Sequence, residues 1–157
     1  MANKPRFRLD YFFWSVTPDD DNRIRRLKRK YGSSGLHAYI HLLELIYRNG
    51  SYLKIDLPDL VEELALELNV EEEAAKTILL GLVELRLFDK DLFLKGYLTG
   101  IDIQEHYYFA TKERKTRIQP ECWLLSQKQM DDIDDGIKYT KMYQSRHNTN
   151  LGGDNHN

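Results

Sequence analysis

The chain has 157 residues, a formal charge of -2 at pH 7, 41% hydrophobic and 11% aromatic residues, which suits one folded domain with an appendage and excludes wholesale disorder. No apolar run approaches the length that spans a bilayer, and the basic start at Met1 to Arg8 runs into Asp10 and aromatics without the apolar stretch of a secretory signal. A lone cysteine, Cys122, excludes an internal disulfide and a Cys-based zinc site, so a soluble cytoplasmic protein with no membrane partner is expected.

The charges are sorted along the chain. Arg23 to Lys30 carries six basic residues in eight, whereas Asp56 to Glu73 carries eight acids and no Lys or Arg. Such sorting predicts a two-sided surface potential, which says more about partners than the net charge does.

In chain order, Tyr11-Phe12-Phe13-Trp14-Ser15-Val16-Thr17-Pro18 reads as an extended lead-in whose rings cover a core edge. Asp19-Asp20-Asp21 supplies an N-cap and first-turn acids for a helix running to Tyr31, with Gly32 as its stop. Ile24, Leu27 and Tyr31 share its inner face, Arg25, Arg26 and Arg29 point away, and Arg23, Lys28 and Lys30 flank the stripe. A second helix, Ser34 to Asn49, is apolar around most of its circumference and therefore central. Ser51 to Ile55 alternates as a short strand.

A third helix follows Asp56 or Pro58 and ends at Leu68, with Asn69 in the turn. A fourth covers Glu71 to Arg86, with Ala74, Ala75, Ile78, Leu79, Leu82 and Leu85 inward. Leu87 to Leu94 places two short apolar runs around a polar turn, the signature of a hairpin. A last core helix is expected over Ile101 to Arg117, with Ile103, Tyr107 and Ala110 on one side and Gln119-Pro120 as its breaker. The expected organisation is a domain over residues 10–118, a partly ordered extension over 119–144 and a disordered polar tail over 145–157.

This order predicts a mainly α domain with a small β-hairpin: a winged helix-turn-helix with an additional N-terminal helix and a C-terminal helix. Leu87–Leu94 would be the wing.

Several stretches carry a likeness to a known family. They are the aromatic start with acids before the basic helix, Tyr31-Gly32-Ser33-Ser34-Gly35, Tyr39 through Gly50, Leu87 through Phe93, Tyr97-Leu98-Thr99, Ile103-Gln104 and Ala110-Thr111-Lys112. Together, over Tyr11 to Arg117, the chain resembles the N-terminal winged-helix domain of phage and prophage replisome organisers, the DnaD-like replication-initiation proteins. The resemblance implies DNA-linked work in replication initiation within a bacterial host, self-association into a homo-oligomer or contacts with other replication proteins, and no catalytic residues. Two departures stand out: Glu105-His106 where the family usually has basic residues, and a short tail where members tend to continue into a second region.

The expected DNA contacts are Arg23, Arg25, Arg26, Lys28, Arg29 and Lys30 on the basic helix, with Lys112, Arg114, Lys115 and Arg117 as a second cluster. Side chains like these neutralise phosphates and carry little sequence information. If the clusters fold side by side they form one groove. The bland alternative is a solvated face, or pairing with the acidic stretch of the same or another copy.

The outward face of the fourth helix, Glu73, Lys76, Thr77, Leu80 and Glu84, argues against ordinary major-groove docking, because two acids repel phosphates. Leu80 with Val83 and Leu87 suits a partner interface. Lys90 and Lys95 are the cations of the wing.

His37, His41 and Glu44 share a helical stripe, but the His-Glu-x-x-His pattern is absent, so neither metal nor cofactor is expected. In Asp131 to Gly136 a calcium loop is rejected, since Ile133 takes a ligand position and Met142 stands where the closing Glu belongs. Of the ten tyrosines, Tyr31, Tyr39, Tyr47 and Tyr107 fall at core spacing, leaving Tyr52, Tyr97 and Tyr108 open as stacking surfaces. The leading expectation is a non-enzymatic DNA-binding module. Its competitor is an oligomerisation scaffold without DNA contact.

Overall fold

A computed structural model of the chain describes residues 7–114 and 119–136. Helix α1, Asn22–Asn49, starts where the Asp21 carboxylate accepts the Arg23 N–H at 2.9 Å. It is broken at Gly32, whose φ of 62° and ψ of -147° lie where a side chain is strained. The two expected helices therefore abut through a kink with no loop between them. Past the kink a Cβ on Gly35 would sit 2.7 Å from the Tyr31 Cβ, so only glycine lets the two halves close.

Strand β1, Leu53–Lys54, leads to α2, Leu57–Leu68, which is capped by Asp56 and ended by Asn69 in the left-handed region at φ 53°. Helix α3, Glu72–Glu84, buries Ala75, Ile78, Leu79 and Leu82 as its periodicity predicts, whereas Ala74 is exposed. The phenol of Tyr31 lies directly over Gly81, where an added Cβ would collide with the ring. Leu27, Leu42, Ile46, Leu64, Leu79, Leu82 and Phe88 are all but sealed from solvent at the centre.

The expected hairpin over 87–94 is not what forms. Asp89 accepts the Leu92 N–H at 2.9 Å, a helix cap, and Lys90–Leu94 winds into the short helix α4. The polar residues read as a turn are a cap and a first helical turn. Strand β2, Tyr97–Leu98, returns antiparallel to β1 with Leu53 opposite Leu98 and Lys54 opposite Tyr97. One rung recalling a wing survives, from the Asp89 N–H to the Thr99 carbonyl at 2.8 Å. The domain is thus mainly helical, with six α-helices and a small two-stranded antiparallel sheet among the described residues.

Helix α5, Ile101–Ala110, ends well before Arg117, and its Ala110 is exposed while Ile103, Gln104, Glu105 and Tyr108 are buried. The reason is a second small core behind it. Residues 119–136, with α6 at Gln127–Asp134, cover Tyr108 with Leu125, Met130 and Ile133. The buried Gln104 joins both parts, donating to the Cys122 carbonyl at 2.8 Å and accepting the Leu124 N–H at 2.6 Å. The tail expected over 145–157 lies outside the described residues. No helix among the described residues is long and apolar enough to cross a membrane.

Candidate nucleic-acid interface

The basic half of α1 divides into committed and uncommitted cations. Ile24 and Leu27 are buried, which turns Arg25, Arg26 and Arg29 to solvent as helical geometry requires. None of these three has a carboxylate within salt-bridge distance among the described residues; Arg25 bonds only the Asn22 amide. Lys30 is exposed and lies 5.3 Å from the centre of the Tyr31 ring.

Arg23 and Lys28, expected as phosphate contacts, are already engaged. Arg23 binds Asp21 at 2.7 Å and Asp102 at 2.6 Å and donates to the Arg86 carbonyl at 2.9 Å. Bonding to Asp21, then to Asp102, outweighs burial and raises its pKa above the ordinary arginine value. Lys28 pairs with Asp19 at 2.8 Å. Arg23 ties three segments of the fold together.

Among the described residues, Arg23 of the first cluster and Lys112 and Arg114 of the second lie at opposite ends of α5. Arg23 meets the first turn of α5 at Asp102, whereas Lys112 and Arg114 follow its last turn, about 15 Å away along a ten-residue helix. Arg114 donates to the Arg8 carbonyl, and Lys112 stands 5.0 Å from the Phe109 ring centre. Lys115 and Arg117 lie outside the described residues.

Beside the second cluster lies the aromatic lead-in, of which Phe12 packs on the core edge as expected while the other rings do not bury there. Leu9 donates its N–H to the Tyr47 carbonyl at 2.7 Å, and Phe12 stacks on Tyr47 at 5.1 Å. These contacts hold the strap down while Tyr11 stays 86% exposed, Phe13 75% and Trp14 38%. Phe13 sits edge-on to His106 at 5.2 Å, and its N–H points at His106 Nε2 at 3.4 Å. Burial lowers the His106 pKa, which favours the neutral, accepting imidazole. Two clefts flank the strap, one reaching Arg8 and Arg48 and the other Lys112 and Arg114.

The remaining candidates fall elsewhere. Glu73, Lys76, Thr77, Leu80 and Glu84 are all exposed on α3, as expected. Val83 and Leu87 are instead buried in the main core, so the apolar patch expected around Leu80 shrinks to that one side chain, 38% exposed. Lys90 and Lys95 are exposed at the two ends of α4, not on a β-wing.

His37 and His41 face α2 rather than Glu44. His37 Nε2 meets Glu67 at 3.0 Å, and His41 stands 3.7 Å from Glu67 and 3.8 Å from Glu63. Of these contacts, only that of His37 with Glu67 is a hydrogen bond joining α1 to α2. No group of three or more His, Cys, Asp or Glu among the described residues is disposed to hold a metal.

The sequence reading missed the exposure of Tyr11, Phe13 and Trp14 and the place of Arg8 and Arg48 beside them. A run of four aromatics with no polar residue to alternate with was the available signal, because such a run cannot bury every ring against one surface.

These features define a small helical domain with a two-stranded sheet, a solvent-facing arginine row and an aromatic strap. Residues 11–103 match the family model described as Lin1244/Lin1753-like, N-terminal, which covers more than half of the chain. The chain belongs to that family. No curated protein and no solved structure matches it.

Proposed function

We propose that the protein is a non-enzymatic DNA-binding module of phage or mobile-element replication initiation, as its resemblance to DnaD-like replisome organisers implies. The observation that carries this reading is the row Arg25, Arg26 and Arg29, exposed on one helical face with no carboxylate partner among the described residues. Side chains so disposed exchange counterions for phosphates at little cost in lost internal pairing. Lys30 extends the row. The acids on the outer face of α3 oppose insertion of that helix in a major groove, so the contact is to backbone rather than to base edges.

A second reading has its own support. Asp59, Glu62, Glu71, Glu72 and Glu73 are exposed on α2 and around the start of α3, a surface that complements the arginine row of another copy. A replication scaffold assembled head to tail would be salt-sensitive and would bind no DNA. Anisotropy with duplex DNA and light scattering, each at low and high salt, distinguish the two. Replacing Arg25, Arg26 and Arg29 together by Glu abolishes duplex binding on the first reading; unchanged binding would overturn it.

A further inference from the structure

We infer that the aromatic strap binds single-stranded nucleic acid, its exposed rings stacking on unpaired bases while flanking cations hold the phosphates. The inference deepens the DNA-binding reading and rests on it. Its starting point is that Arg23 and Lys112 stand at opposite ends of α5, and the strap runs from one side to the other. It starts at Leu9, bonded to Tyr47 and lining both clefts, passes Trp14 at 6.2 Å from Tyr39, and reaches the basic helix where Asp19 pairs with Lys28.

Along this path the chain exposes rings that a core would have taken. Tyr11 is 86% exposed and Phe13 75%, while Phe12 between them turns inward onto Tyr47. This alternation sets the Cα atoms of the two outward residues at most about 7 Å apart along the chain. One base held between two rings, stacked about 3.4 Å from each, spans that separation. Stacking tolerates any sequence because every base has a π-face, and it requires bases freed from a duplex.

Charge follows the same path. Several acids closest to it are paired: Asp10 with Arg8 at 3.0 Å, Asp19 with Lys28, and Asp21 and Asp102 sharing the single charge of Arg23. Exposed Arg48 and Lys112 at one end and Arg25, Arg26 and Arg29 at the other are the cations left for a strand. Glu44, Glu113 and Asp20 remain as like charges, which limits affinity and makes the rings, rather than net potential, the main contributors.

The test compares a labelled thymidine oligonucleotide with a hairpin duplex, using the full chain, its Tyr11→Ala/Phe13→Ala variant and the conservative Tyr11→Phe/Phe13→Tyr variant. Both residues are exposed, so fold is retained, and circular dichroism checks it. The alanine variant is expected to lose about tenfold or more in affinity for the oligonucleotide, with duplex affinity within about twofold, and the conservative pair to restore it. Quenching of Trp14 fluorescence should accompany oligonucleotide binding. Equal oligonucleotide affinity in the alanine variant would overturn the inference, as would a wild-type chain that binds duplex alone. A chain that binds neither would overturn the DNA-binding reading as well.

Discussion

Arg23 and Asp102 meet at 2.6 Å across 79 positions of sequence, and this contact ties the head of the basic helix to the first turn of α5. The same guanidinium also holds Asp21 and the carbonyl of Arg86, a residue at the unusual φ of 62°. One side chain thus fixes three segments that meet at one end of the domain.

Arg23→Ala should therefore lower stability by about 1–2 kcal/mol, the range for a charged hydrogen bond discounted for partial exposure. Its effect on DNA affinity should be smaller than that of Arg26→Ala. Thermal melts and duplex titrations of the two variants check both halves of the prediction. An Arg23→Ala variant that melts normally and binds poorly would reverse the roles assigned here.

Gln104 is fully buried and spans Thr99, Cys122 and Leu124. Gln104→Leu leaves the Leu124 N–H and the Cys122 carbonyl without their partner, which costs about 1–3 kcal/mol. The expected outcome is selective: residues 119–136 become sensitive to protease while α1 to α3 stay protected. Limited proteolysis read by mass spectrometry follows it.

Gly81→Ala places a methyl inside the Tyr31 ring. Overpacking of that kind costs about 1–3 kcal/mol. Tyr31→Leu in the same chain should recover part of the loss, because it removes the phenol that the methyl meets. Denaturant unfolding of the single and double variants measures the coupling.

The strap should respond to acid through His106. Burial depresses its folded pKa below the ordinary 6.5, so the neutral ring contributes stability above that value. This stability falls as pH drops below 6.5 and is lost once pH passes the folded pKa. Protonation also puts a donor against the Phe13 N–H, with Asp10, Lys112, Glu113 and Arg114 the charged groups lining the same cleft. Trp14 fluorescence should report strap release on acidification, and His106→Gln, a neutral acceptor, should flatten that dependence.

The helices were legible because their signals are local. Asp21, Asp56, Gly32 and Asn69 mark starts, a break and a stop through backbone chemistry that neighbours do not alter. The wing was misread because Asp89 serves a turn and a helix cap equally well, and β1, whose Lys54 pairs with Tyr97 43 positions later, decides where the return strand pairs.

 The arginine row followed from helical periodicity alone. Its division into free and committed members did not, since Asp102, which holds Arg23, is 79 positions away in sequence. Val83 and Leu87 were placed outside because a single helix cannot show what the rest of the fold, α4 included, packs against it; both are core.

The most direct test of the arginine row is the salt dependence of duplex affinity for the wild-type chain and for the Arg25→Ala, Arg26→Ala and Arg29→Ala variants. Each lost phosphate contact should make the slope of log affinity against log salt shallower by about 0.9. Three variants with the wild-type slope and affinity would contradict the assignment.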